Sequence, residues 1–208
     1  MEKYLEKNFL ENYKFRYYKG LYNLFVSLLS KENKFYSLVC DVGCGKGIWS
    51  YIGLKFGLFK EVVGCDIFFD YKIKELKSLG RVSYKNCENS PYLPFEDNSF
   101  DLVFSMDVIE HVEDDNTFFK EHIRIAKPGG VILIGTPNRY RIVNVLLMLL
   151  GQLKYPRKLG EDSYGECIHI REYSENMLKK LIEREINTIQ YNTINSLLVR
   201  YRAKSWSK

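Results

Sequence analysis

The sequence is poor in the residues that usually build metal or redox sites. It holds only three histidines, and its five cysteines (Cys40, Cys44, Cys65, Cys87 and Cys167) form no CxxC pair and no Cys/His ligand spacing. No metal site is therefore expected. An odd cysteine count also excludes a complete set of internal disulfides, so reduced, mostly buried thiols are expected. The N-terminal stretch MEKYLEKNFLENYKFRYYKG is charged throughout and lacks an apolar signal core. The most apolar stretch, IVNVLLMLLGQL at 142–153, is too short to span a bilayer. These absences point to a cytoplasmic protein. Nor does one charge dominate: 31 basic against 26 acidic residues give a net +5, which permits an anionic partner without requiring one. Repeats and low-complexity tracts are missing as well.

What is present suits one domain over 1–208, since 46% of the 208 residues are hydrophobic. Apolar residues at three- and four-residue steps (Phe15, Tyr18, Tyr22, Phe25, Leu29) predict a helix over 2–30. Short apolar runs then alternate with helical patterns: YSLVCDV, EVVGCDI, RVSYKNC, FDLVFSM and GVILIGTP read as strands. GIWSYIGLKFG, FFDYKIKELKSLG and DNTFFKEHIRIAK read as helices, the last halted by Pro-Gly-Gly at 128–130, a turn into the fifth strand. Nearly uninterrupted apolar strands separated by helices predict an α/β, doubly wound, mostly parallel sheet with right-handed crossovers. Ligands of such sheets sit beyond the carboxyl ends of the strands, where strand order reverses.

The stretch VCDVGCGKGIWS stands at that place, with Gly43, Gly45 and Gly47 at every second position. The dinucleotide pattern GxGxxG fails in both registers, because Ile48 and Ser50 occupy the third glycine's place, and no Gly-Lys-Ser/Thr follows. Asp41 precedes the loop, and a carboxylate repels pyrophosphate but attracts an ammonium or sulfonium group. Asp66 ends the second strand, where a carboxylate can accept from both ribose hydroxyls. A lone GxGxG is an ordinary turn and a lone loop acid is an ordinary cap. Together, in one βαβ unit, they favour a nucleoside with a cationic tail.

With these motifs the sequence resembles the class I S-adenosylmethionine-dependent methyltransferases over roughly 36–137. VCDVGCGKG and VVGCDI carry the first two motifs; LPFEDNSFDLVFSMDVIEHVED and RIAKPGGVILIGTPN resemble the small-molecule branch that includes ubiquinone and menaquinone biosynthesis enzymes. HIREYSENMLKKLIE resembles a block that follows TPN in that branch. The resemblance implies a Rossmann-like sheet of seven strands. It implies S-adenosylmethionine as cofactor, with Gly43, Gly45 and Gly47 near its methionine part, Asp41 on its ammonium and Asp66 on its ribose. Glu88 or Asn89 would hold the adenine, with an amide standing where the family often has an acid. Ser105, Met106 and Asp107 would line the cofactor after the fourth strand.

Methyl transfer relies on positioning and electrostatics, and a general base helps an oxygen or carbon acceptor lose its proton. His111, in IEHVED, and His169, opening HIREYS, are the catalytic candidates, against the alternative that each only packs or caps. Glu110 is a further base or a partner for a histidine, and His122 reads as structural or exposed. Tyr17, Arg171 and Tyr173 are substrate candidates; Tyr173 can instead simply precede the helix cap Ser174. Around the 36–137 core, residues 1–35 form an aromatic, basic helical cap, 138–168 a lid insert, and 169–208 a C-terminal helix and two strands. The apolar helix of the insert is bracketed by Arg139, Arg141, Lys154, Arg157 and Lys158. It suits either a lid burying its apolar side or a peripheral contact with a membrane through 142–153. The expected activity is methyl transfer to a small hydrophobic or glycosidic acceptor. The alternatives are an RNA methyltransferase and a non-catalytic S-adenosylmethionine-binding scaffold. Nucleic acid is disfavoured, because SMDVIE stands where a base-binding Asn/Asp-Pro-Pro-Tyr/Phe motif would be. Nothing in the sequence sets an oligomeric state.

Overall fold

The computed structural model describes residues 15–30, 35–68, 73–87, 90, 92–162, 165–182, 188–192 and 196–202. Five parallel strands form its centre: β1 (Tyr36–Val42), β2 (Phe59–Asp66), β3 (Arg81–Asn86), β4 (Phe100–Met106) and β5 (Ala126–Pro137). β9 (Ser196–Arg202) joins β5 and β8 (Thr188–Asn192) joins β9, both antiparallel, giving the order β3-β2-β1-β4-β5-β9-β8. The chain steps outward from β1 to β3, then returns to the other side of β1 with β4. The reversal therefore lies between β1 and β4, where Asp41 pairs with Phe104.

Successive β1 residues feed opposite faces, as the strand's two-residue period requires. Val39 joins the cluster under α1 (Phe15–Ser30) and α2 (Ile48–Lys55), with Phe25, Trp49, Phe59 and Phe104. Cys40 joins the opposite cluster under α4 (Asp115–Ile125) and α6 (Glu175–Ile182), with Phe119, Ile125, Ile132 and Leu178. The Phe25 ring lies 5.0 Å from Trp49 and 5.4 Å from Phe104, so α1 is fastened to the sheet by aromatic packing. α2 lies flat on β2 because Gly53 lacks a side chain: a Cβ there would fall 1.8 Å from the Phe59 ring.

Beyond the first helix, the elements differ from the sequence pattern in three places. The helix expected over 2–30 is described from Phe15 onward, and 2–14 lie outside the described residues. The helix expected before Gly80 is only one turn, α3 (Ile73–Leu76), among the described residues. Pro-Gly-Gly does not stand before the fifth strand but within β5, where the register against β4 shifts and Gly129 has φ +74°. The expected 138–168 insert contains α5 (Ile142–Leu149) followed by a hairpin, β6 (Arg157–Asp162) with β7 (Gly165–His169). The apolar side of α5 does not lie on the core: Ile142, Val143, Leu146 and Leu149 are exposed, and the polar Asn144 is the buried residue.

Candidate active site

The loop after β1 is built from backbone groups. The Gly43 and Cys44 N–H groups donate to the Cys65 carbonyl at 2.7 and 3.2 Å, closing β1 onto β2. Gly43, Gly45 and Gly47 have φ of +70°, +47° and +89°, a region that costs other residues about 1–2 kcal/mol each. At Gly43 a Cβ would also fall 2.3 Å from Val108 Cγ2, so the loop passes close to the end of β4. Gly47 then caps α2 in the left-handed conformation.

Asp66, half-buried at the end of β2, ties this loop to the second strand. Its Oδ2 accepts from the Gly45 N–H at 2.7 Å and its Oδ1 from the Phe68 N–H at 3.1 Å. Each oxygen keeps lone-pair capacity for a ligand hydroxyl. Ile67 and Phe68, directly beyond, are exposed apolar groups beside the carboxylate. Asp41 lies deeper, buried beneath the loop, and accepts from the Ser50 hydroxyl of α2 at 2.5 Å. Burial pushes its carboxyl up to about 7; the Ser50 bond opposes this and the charge of Asp66 adds to it. The Ser105 hydroxyl at the end of β4 is buried with no hydrogen-bond partner, and Met106 is buried beside it. Asp107 follows at φ +57°, its carboxyl raised to about 6 by desolvation against the pull of His169 and Arg141. An open backbone cradle, a carboxylate with spare acceptors and an orphaned hydroxyl fit a nucleoside with a charged tail.

The fold brings His111 and His169 together. His111 closes a 3-10 turn (Ile109–His111) after β4, and His169 ends β7. Their rings meet edge to face with centroids 4.9 Å apart. The Ile170 N–H donates to the Glu110 carbonyl at 2.9 Å and holds the two segments in place. His111 Nδ1 donates to the Ile168 carbonyl at 2.8 Å, and His169 Nδ1 to Glu172 Oε1 at 2.8 Å. Glu172 was not legible as a site residue, yet it is fully buried and also accepts from Arg141 at 2.5 Å and from Asn144. Burial alone would raise its carboxyl; the bonds from His169 and Asn144 and the Arg141 charge hold it below the usual range. The spacing His169-x-x-Glu172 was the only signal for it. Glu110 points elsewhere: it is buried, bonded to the Thr136 hydroxyl at 2.9 Å, and pushed up by burial.

The remaining candidates fall in other settings. Tyr173 is buried and its hydroxyl donates to Asp115 at 2.8 Å. Arg171 pairs with the same Asp115 at 2.8 Å and donates to the Glu113 carbonyl at 2.7 Å, so both residues engage the start of α4. Ser174 follows as the cap of α6, its hydroxyl accepting from the Met177 N–H at 3.3 Å. His122 is wholly buried, bonded to the Phe118 carbonyl at 2.8 Å, and lowered to about 4 by desolvation. Tyr17 lies on α1, with its side chain outside the described residues, as are Glu88 and Asn89.

A parallel sheet reversing at β1, a glycine cradle and an acid ending β2 fit a nucleoside-binding domain of the doubly wound type. Residues 40–134 match the family described as "Methyltransferase domain". The chain is 32% identical over 174 residues to a probable S-adenosylmethionine-dependent methyltransferase of Mycolicibacterium smegmatis, covering 83% of this chain and 58% of that one. It is 26% identical over 171 residues to a ubiquinone biosynthesis O-methyltransferase of Chelativorans, covering 79% and 66%. The chain thus spans less than two thirds of the length of either curated relative. In fold it is similar to the PH0226 protein of Pyrococcus horikoshii, with TM-score 0.65, 24% identity and coverage of 90% and 92%. Residues 40–134 are thus a methyltransferase domain of the class I S-adenosylmethionine-dependent kind.

Proposed function

We propose that this chain methylates a small, amphiphilic acceptor. The observation that carries the reading is the bond from the glycine loop to Asp66 at the end of β2, because it would join the tail-binding and ribose-binding parts into one cradle. S-adenosylmethionine, when bound, supplies an electrophilic methyl group on a sulfonium. Asp66 receives the ribose hydroxyls, and Gly43, Gly45 and Gly47 admit the methionine part. Asp41 balances its ammonium from below, while Ile67 and Phe68 offer an apolar face for the base. Glu88 or Asn89 would read the adenine edge, as the family resemblance implies. Ser105 and Met106 wall the side nearest β4.

His111 and His169 sit beyond the carboxyl end of β4, where the acceptor would lie. Nδ1 of each donates, so in the neutral ring Nε2 is the nitrogen that would draw the proton from an acceptor hydroxyl. Glu172 stabilises the imidazolium that forms on His169, while Arg141 and Asn144 hold Glu172 in place. The exposed apolar side of α5, with Leu146 and Leu149, supports an apolar acceptor or a peripheral membrane contact through 142–153. The likeness to a ubiquinone biosynthesis O-methyltransferase supports the same class of acceptor.

The test is transfer of a labelled methyl group to catechol- and quinol-type compounds, with bulk RNA alongside, by the wild type and Asp66→Asn. Label in the organic extract, lost in the variant, supports the reading. Label only in RNA would establish the nucleic-acid alternative. Cofactor binding without transfer to any acceptor class would leave the scaffold reading instead.

A further inference from the structure

The hairpin β6–β7 brings a third soft ligand to the histidine pair. Cys167 and His169 stand two residues apart on β7, so both side chains leave the same face of the strand. That face meets His111. One ligand atom each from His111, Cys167 and His169 lie within 4.8 Å of one another. A tetrahedral zinc with bonds of about 2.0–2.3 Å keeps its ligand atoms roughly 3.5 Å apart. The three atoms would have to close from within 4.8 Å to that distance as the ion binds.

We infer that His111, Cys167 and His169 form a binding site for a thiophilic divalent metal, with zinc as the ion the ligand set favours. The arrangement around the ligands is the one such sites require. Metal-binding imidazoles donate their second nitrogen to a carboxylate or a carbonyl, which fixes the ring and the tautomer. His169 does so to Glu172 and His111 to the Ile168 carbonyl, so Nε2 of both rings carries the lone pair. Two imidazoles and a thiolate select zinc over magnesium or calcium, which prefer oxygen. On binding, the Cys167 thiol loses its proton to solvent and the sulfur donates an electron pair to the metal. Only three protein ligands converge among the described residues, and His111 faces solvent, so the fourth coordination position stays open. That is the pattern of a reactive zinc site rather than a closed structural one. An acceptor oxygen bound there would lose its proton at lower pH, the metal doing what a histidine base would otherwise do. This role rests on the acceptor reading above; the site itself does not.

The experiment uses the whole chain, stripped with a chelator and titrated with Co2+ as a spectroscopic substitute. The expected result is about one equivalent bound with thiolate-to-cobalt charge-transfer and intense tetrahedral absorption, both abolished by added Zn2+. Cys167→Ser removes the charge-transfer band, and Glu172→Gln weakens affinity about 10- to 100-fold. No stoichiometric binding, or a spectrum unchanged in Cys167→Ser, overturns the site. S-adenosylhomocysteine is titrated against the same metal-free samples, which also reports folding of each variant. Nucleoside binding without cobalt binding removes the metal site and leaves the methyltransferase reading. Cobalt binding without nucleoside binding does the reverse and removes the proposed role.

Discussion

Asp41 offers the sharpest quantitative test of the cradle. Its carboxyl is wholly buried and raised from an ordinary 3.8 to about 7. A raised carboxyl means that the folded chain binds a proton more tightly than the unfolded chain. Below about pH 4 both states hold the proton and no difference arises. As pH climbs from about 4 to about 7 the unfolded chain releases it and the folded chain does not, so stability falls. Above about 7 the whole penalty is present. The interval from 3.8 to about 7, at about 1.4 kcal/mol for each tenfold, makes that penalty about 4 kcal/mol. Asp41→Asn keeps an acceptor for Ser50 and removes the ionisation. Urea unfolding at about pH 4 should find the two proteins similar. At about pH 8 the apo variant should be the more stable by a few kcal/mol. Ligand binding runs the other way, because an ammonium beneath the loop favours ionised Asp41. Wild-type affinity for S-adenosylhomocysteine should drop about tenfold for each pH unit below about 7, with proton release on binding. The variant should bind more weakly at high pH and lack that slope. Parallel pH profiles for both proteins would refute the placement of Asp41 as the buried counter-charge.

Three further outcomes follow from the same geometry. Gly43→Ala should lower Tm and weaken nucleoside binding together, since the left-handed backbone costs about 1–2 kcal/mol and Val108 must move. Tyr173→Phe should cost about 1 kcal/mol by urea unfolding, through loss of the bond to Asp115, with nucleoside affinity unchanged. A collapse of turnover at unchanged stability would instead make Tyr173 a substrate contact. Leu149→Glu, at a position 78% exposed, should change stability by less than about 0.5 kcal/mol while reducing retention on anionic vesicles.

Much of the cofactor half could be read from the sequence because each feature there is local. β1, β2, β4 and β5 are apolar runs buried on both faces, the glycines follow β1 directly and Asp66 ends β2. The hairpin was illegible for the opposite reason. RKLGED and GECIH are polar and partly glycine, with no alternation, and their pairing is interrupted between Lys158 and Gly160. Pro-Gly-Gly looked like a turn because its residues favour one, but β4 pairs with Ala126 before the interruption and with Val131 after it. The exposed side of α5 could not be inferred from composition. Its apolar residues satisfy a lid equally well, and only the tertiary contacts of Asn144 with Glu172 and Arg157 show which side faces inward. The convergence of His111, Cys167 and His169 is non-local, with two residues on β7 meeting one beyond β4, so no ligand spacing announces it.

The proposed nucleoside cradle joins the glycine loop to Asp66. Calorimetric titration of the whole chain with S-adenosylhomocysteine, beside Asp66→Ala, tests it directly. Removing a carboxylate that accepts from ligand hydroxyls should cost about 1.5–3 kcal/mol for each charged hydrogen bond lost, or roughly 10- to 150-fold in affinity for one such bond. Saturable binding by the wild type and that loss in the variant are expected. A folded wild type that does not bind, or a variant that binds as tightly, would contradict it.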